Sequence, residues 1–128
     1  AGFSTLRNIC TMNCGIRVVL KETPKALQDD LDRIGELWND GLSRFGGPFL
    51  AGDTFTAVDA FFAPVAFRAQ TYGLVLDSKS EEYAALLLRQ PAMQEWYQAA
   101  LAETYREPVH EDEARAAGTW TADLRAIA

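Results

Sequence analysis

Apolar side chains recur at three- and four-residue steps through much of the chain, a spacing that is typical of amphipathic helices. The longest stripe follows Thr23-Pro24, which suit the N-cap and the first helical position. It ends at Gly46-Gly47-Pro48, residues that commonly follow a helix C-terminus. The stripe consists of Leu27, Leu31, Ile34, Trp38, Leu42 and Phe45. We therefore predict one long helix here, whose acidic side is better interpreted as a solvated face than as a cation site.

A second stretch, Phe49 to Val65, predicts a tight turn followed by a central helix that is buried on nearly every side. Thr56 is the N-cap candidate, and Asp59 lies three residues later, where its carboxylate can reach back to the N-cap amide. Apolar residues dominate after Asp59, with no charge before Arg68. Thr56 and Asp59 therefore form a predicted structural N-capping box, and Pro64 predicts a kink.

The segment before the long helix is harder to assign. Phe3, Leu6 and Cys10 have helical spacing and predict a short first helix. The β-branched content of residues 16–20 would allow a strand. Because a lone strand has no partner, we favour the continuation of a helical hairpin or an irregular linker for these residues.

The C-terminal part predicts two more helices and a tail. Residues 80–89 form the first predicted helix, and Pro91 opens the second as its first residue. Residues 105–113 are polar and are expected to be irregular, and residues 120–127 are expected to form a short terminal helix. The predicted fold is all-α, an orthogonal bundle of about five helices, with a core over about residues 1–104 and a tail over 105–128.

Length and charge narrow the classes of function. The 128 residues suffice for one domain with a real core. A net charge of -6 argues against nucleic acid as a partner, because phosphates would be repelled. No apolar run approaches the roughly 20 residues needed to cross a bilayer, and no secretion signal is recognisable. We expect a cytoplasmic protein without a membrane partner.

A search for reactive groups assigns no catalytic residue and no metal ligand. Cys10 and Cys14 are the only cysteines, and three residues separate them instead of the two of a usual redox pair. Zinc needs more ligands, and the only histidine is His110, far away in sequence. We therefore interpret the cysteines as ordinary reduced thiols. Gly46-Gly47 lacks the lysine and the glycine spacing of a phosphate-binding loop.

The central stretch resembles a known family. Its segments Gly47-Pro48-Phe49-Leu50, Gly52-Asp53, Thr56-x-x-Asp59-Ala60, Ala63-Pro64-Val65 and Arg68 through Tyr72-Gly73 are similar to the C-terminal helical domain of bacterial glutathione S-transferases. The resemblance implies that the Thr56–Asp59 box opens the central helix and supports folding. It also implies a hydrophobic staple between Phe55 and Ala60, for which Ala60 is small.

The same resemblance implies a function for a longer protein. A thioredoxin-like domain, absent from this chain, would hold glutathione as co-substrate and supply the catalytic residue, and no cofactor is expected in this chain. The helical domain would supply apolar walls for a hydrophobic electrophile, for which we select Phe3, Arg7, Phe67 and Tyr72. Phe3 and Phe67 could equally be plain core residues.

The resemblance also implies that the full-length protein is a homodimer. It would conjugate glutathione to small electrophiles in detoxification or reduce peroxides, whereas this chain alone would be inactive. The alternative is a non-catalytic protein-interaction module with the same helical fold.

Overall fold

A computed structural model describes residues 2–127, which form six helices and two strands. The helices are α1 (Ser4–Ile9), α2 (Lys25–Phe45), α3 (Ala57–Tyr72), α4 (Ser78–Leu88), α5 (Pro91–Ala102) and α6 (Pro108–Ala117). The strands β1 (Ile16–Leu20) and β2 (Gly118–Asp123) pair antiparallel. The predicted helical bundle is confirmed, with a small sheet added to it. None of the described helices is long and apolar enough to cross a membrane.

The core lies where α2, α3 and α4 meet. Trp38 of α2 is fully buried and contacts Phe62 of α3 and Tyr83 of α4 edge-on, at centroid distances of 5.7 Å and 4.8 Å. Edge-to-face packing of this kind adds to the hydrophobic stabilisation of burial. β1 and α4 both pack against α3, which confirms its central place.

Burial of α3 is less complete than the sequence predicts. Its later turns bury Phe62, Ala66, Phe67 and Tyr72, but Phe61 is 69% exposed. The helix continues through Pro64 and ends at Gly73, whose φ of 57° is left-handed. A residue with a Cβ atom would be strained in this left-handed conformation, which glycine adopts without steric cost.

The prediction for residues 16–20 is wrong, because they form a strand. Val18 lies opposite Trp120 and Leu20 opposite Gly118, with an irregularity of register between Arg17 and Val18. The partner strand comes about a hundred residues later, so no local pattern could reveal it. The expected terminal helix at residues 120–127 is wrong for the same reason: residues 118–123 alternate between half-buried and exposed positions, as a strand does.

The expected irregular segment at 105–113 is also wrong over most of its length, because α6 begins at Pro108. The Glu107 carboxylate accepts a hydrogen bond from the His110 amide at 2.8 Å, and Pro108 occupies the first helical position. An acidic N-cap followed by proline is a helix-start signal. Ala114 and Ala117 give α6 its buried side.

The remaining helices begin close to their predicted positions. α5 begins at Pro91 as predicted, whereas α2 begins at Lys25, with Pro24 as its N-cap. α4 begins at Ser78 because the Asp77 carboxylate accepts from the Ser80 amide at 3.0 Å. These small shifts leave the bundle unchanged.

Candidate co-substrate cavity and the Asp59 cluster

Two of the predicted co-substrate residues lie together beside a small cavity. The cavity lies between α1 and α3 and has a volume of about 180 Å³. Phe3 and Arg7 line it from the side of α1, and Phe61, Phe62 and Arg68 from the side of α3. The rings of Phe3 and Phe62 are 6.4 Å apart, and those of Phe61 and Phe62 are 5.4 Å apart. The lining is therefore largely apolar, and three of its residues are phenylalanines.

Arg68 brings a charge to this apolar site. Its Nε donates to the carbonyl of Cys10, the C-cap of α1, at 2.8 Å, which holds the guanidinium at the end of that helix. Burial lowers the pKa of Arg68, and the nearby positive charge of Arg7 acts in the same direction. Arg7 is exposed and donates from Nε to the Gly2 carbonyl at 3.2 Å. Arg7 and Arg68 are both among the residues that line the cavity.

The structure places the other two predicted residues elsewhere. Phe67 is buried against the rings of Trp96 and Tyr97, at 4.8 Å and 6.3 Å. The hydroxyl of Tyr72 is buried and donates to the Thr11 carbonyl at 2.7 Å. Neither lines the cavity beside Phe3, and both are buried in the core.

The N-capping box is present and is part of a larger cluster. The Asp59 carboxylate accepts from the Thr56 amide at 2.9 Å, and the Thr56 side chain faces the Asp59 amide in return. The other carboxylate oxygen accepts from the Leu50 amide at 3.1 Å and from the Tyr83 hydroxyl at 2.6 Å. Asp59 is fully buried, so one carboxylate joins the turn before α3, the start of α3 and the middle of α4.

Phe55 of the predicted hydrophobic staple packs against Phe49 and not against Ala60. Phe55 packs edge-on against Phe49, with ring centroids 6.0 Å apart, and Ala60 is exposed. Two aromatic rings of the segment before α3 thus pack against each other.

Comparison with known proteins agrees with the helical fold. The sequence profile described as "Glutathione S-transferase, C-terminal domain" matches residues 23–99, more than half of the chain. The chain belongs to this family. No curated protein and no solved structure matches it.

The matched part of this glutathione S-transferase C-terminal domain contains the complete Asp59 cluster and the α3 side of the cavity. α1, both strands and α6 lie outside the matched residues. The family match therefore covers the α3 side of the cavity but not its α1 side.

The two thiols of the transferase domain are buried and free. Burial raises the pKa of Cys10 to about 12 and that of Cys14 to about 11. The described residues contain no group of three or more His, Cys, Asp or Glu side chains that could hold a metal ion. A protonated buried thiol is a poor nucleophile.

We expect both thiols to resist modification in the folded protein. At pH 8 a thiol with a pKa near 12 has about a thousandfold less thiolate than one with the ordinary value near 9. The folded protein should therefore react slowly with a disulfide reagent in buffer. In denaturant both thiols should react rapidly and release two equivalents of the reagent's thiol per chain. Rapid stoichiometric reaction of either thiol without denaturant would contradict this burial.

The C-terminal tail is held by a cluster that sequence reasoning missed. The Arg125 guanidinium pairs with both carboxylate oxygens of Glu111 and with Asp123, and it lies 5.5 Å from the Trp120 ring. The hydrogen bonds with Arg125 lower the pKa of Asp123 to about 2. Arg115 lies over the same ring at 4.0 Å. The distance of Glu111 from Arg125 in sequence left no local signal for this cluster.

Proposed function

We propose that this chain forms the co-substrate side of a glutathione transferase. In the full-length protein a thioredoxin-like domain would bind glutathione and hold its thiolate near the cavity between α1 and α3. The sulfur would form a bond to an electrophilic carbon of the co-substrate, and the leaving group would depart with the electron pair of the bond that breaks. The aromatic cavity of Phe3, Phe61 and Phe62 in a family member is the observation that supports this function.

The proposal assigns binding and not bond-making to this domain. Apolar walls exclude water from the co-substrate and orient it, and they contribute to the rate through positioning. No catalytic residue is assigned to this chain. Peroxide reduction by glutathione is the other reaction that such a cavity would serve. We also propose that the full-length protein is a cytoplasmic homodimer.

The proposal predicts a specific kinetic change when Phe3 is truncated. In the full-length gene product, Phe3→Ala should raise the KM for an aromatic electrophile about tenfold, which corresponds to the loss of a buried aromatic contact. The KM for glutathione should stay within a factor of two, because glutathione would bind the other domain. Steady-state kinetics with each substrate varied in turn measures both constants.

Phe45→Ala serves as the matched control. Phe45 ends α2, is 56% exposed and lies outside the cavity. This variant should leave both constants unchanged. A gene product that binds an aromatic electrophile but never conjugates it would contradict the proposed function.

A non-catalytic interaction module remains the second candidate because α3 exposes apolar surface. Phe61 and Val58 are 69% and 37% exposed, and apolar surface of this kind suits a protein contact. The two candidates differ in glutathione-dependent turnover, which only the transferase would show.

A further inference from the structure

We propose that a groove along α2 is a docking site for a basic, amphipathic peptide segment of a partner protein. The groove consists of two adjoining cavities of about 320 Å³ and 600 Å³, whose linings share Leu31 and Val75. This docking site goes beyond the proposed function, because none of its residues lines the cavity between α1 and α3.

The groove has the length of a short peptide. α2 lines it from Gln28 to Asn39, which is about 16 Å of helix. β1 and residues 73–77, the loop between α3 and α4, supply the rest of the lining. About five residues of extended chain span this distance. A peptide segment therefore suits the groove better than a compact small molecule.

The loop between α3 and α4 is held against α2 by contacts of its own. The Asn39 side-chain amide donates to the Asp77 carboxylate at 3.0 Å, and the Leu74 amide donates to the Ala69 carbonyl at 3.1 Å. Gly35 permits the close approach, since a Cβ atom there would lie 3.0 Å from Asp77 Oδ2. The groove is thus formed before a partner binds, which lowers the entropic cost of binding.

The end of the groove beside β1 is apolar. Val19 and Val75 are 60% and 79% exposed, and the buried side chains of Leu31 and Leu74 lie beside them in the lining. Exposed apolar side chains in a concave site suit the apolar side chains of a partner peptide.

The other end of the groove is acidic. Asp32, Glu36 and Asp77 line it, and neither cavity has a lysine, arginine or histidine in its lining. Glu36 pairs with Arg33 at 3.0 Å. Among residues 2–127, the carboxylates of Asp32 and Asp77 accept hydrogen bonds only from uncharged donors. Lysine or arginine side chains of a partner would supply the missing positive charge.

The acidic end argues against two other occupants. A second copy of the chain carries a net charge of -6, and an anionic lipid surface is negative as well. Like charges brought together at an interface oppose binding. The charge of the groove therefore favours a basic peptide over both.

Fluorescence anisotropy with labelled peptides tests the proposal on the 128-residue chain. The basic peptide has three leucines followed by three arginines, and its neutral counterpart has glutamine in place of each arginine. Both are also made in the reverse order, because the groove does not fix the direction of the peptide. In one of the two orders, the basic peptide should bind about tenfold more tightly than its neutral counterpart, and about 0.5 M salt should remove most of that difference.

Two variants examine the two ends of the groove separately. Asp32→Asn combined with Glu36→Gln removes two exposed carboxylates from the acidic end. It should weaken the basic peptide about fivefold and leave the affinity for the neutral peptide within a factor of two. Val75→Ser at the apolar end should weaken both peptides about threefold.

Each variant has a matched control outside the groove. Glu95→Gln combined with Asp112→Asn removes the same net charge from exposed positions on α5 and α6. Val109→Ser matches Val75→Ser, because Val109 is 59% exposed on α6. Neither control should change the affinity for either peptide. Circular-dichroism melts check that every variant is folded.

Equal affinities for the basic and neutral peptides would overturn the proposal, as would the absence of binding by every peptide. Equal effects of the two paired carboxylate variants would overturn it too, because the charge of the whole chain would then explain the preference. Self-association of the chain that Val75→Ser abolishes would make the occupant a second copy. The proposed function is tested separately by glutathione-dependent turnover of the full-length protein, which these variants should leave unchanged.

Discussion

Asp59→Ala is expected to lower the free energy of unfolding by about 3–5 kcal/mol, since three donors lose one buried acceptor at once. The donors are the amides of Thr56 and Leu50 and the hydroxyl of Tyr83, at 2.9 Å, 3.1 Å and 2.6 Å. An N-cap alone contributes about 0.5–2 kcal/mol. The larger value follows because Asp59 is fully buried and also joins α3 to α4.

Tyr83→Phe should show how much of this loss comes from the link to α4. Burial and the hydrogen bond to the Asp59 carboxylate raise the pKa of Tyr83, so its hydroxyl remains a donor across the physiological pH range. Removing the hydroxyl leaves Asp59 with its two amide donors. We expect a loss of about 1–2 kcal/mol, smaller than that of Asp59→Ala.

Asp53→Ala is the matched control, because Asp53 is an exposed carboxylate on the same turn. It should change the free energy of unfolding by no more than about 0.5 kcal/mol. Urea denaturation followed by circular dichroism measures all three variants. Coincident curves for Asp59→Ala and the wild type would contradict the role of the cluster, and loss of turnover at unchanged stability would mark Asp59 as a catalytic acid.

The sequence predicted the elements whose signals are local. Thr56 with Asp59, Pro91 and Gly73 mark helix ends by hydrogen bonding and backbone preference within a few residues. The cluster around Asp59 was predicted only as far as Thr56. Its bond to Tyr83 spans 24 residues and depends on how α4 packs, which no spacing along the chain expresses.

The sheet and the cavity were harder to predict from the sequence, because both depend on contacts between residues that are far apart along the chain. β1 has too few residues to be distinguished from a linker without its distant partner β2. Phe3 and Phe67 are both phenylalanines within the apolar pattern of a predicted helix. Phe3 nevertheless lines a cavity, whereas Phe67 is buried in the core. Apolar residues have the same pattern in either place, because both sites exclude water. Arg68 was used only as part of a motif, since its anchor on Cys10 is a tertiary contact.

Gly118→Ala is expected to separate the two strands, because a methyl group at this position would collide with the backbone of β1. A Cβ on Gly118 would overlap the Val19 carbonyl oxygen and lie 2.8 Å from the Leu20 Cα. The φ of 174° is ordinary extended backbone, so the cost comes from the collision and not from a strained dihedral. Backbone atoms cannot rotate away as a flexible side chain can.

The collision should lower the free energy of unfolding by about 2–3 kcal/mol and loosen the sheet more than the bundle. The hydrogen bond from the Lys21 amide to the Ala117 carbonyl, at 3.0 Å, lies beside the collision. Hydrogen exchange should therefore accelerate at least tenfold for the amides of residues 16–21 and 118–123, while amides of α2 and α3 are less affected.

Gly2→Ala is the control for adding a methyl group, because nothing lies within 4 Å of its Cβ position. It should leave both exchange and melting temperature unchanged. If Gly118→Ala kept wild-type exchange rates in β1, the strands would not approach each other this closely in solution.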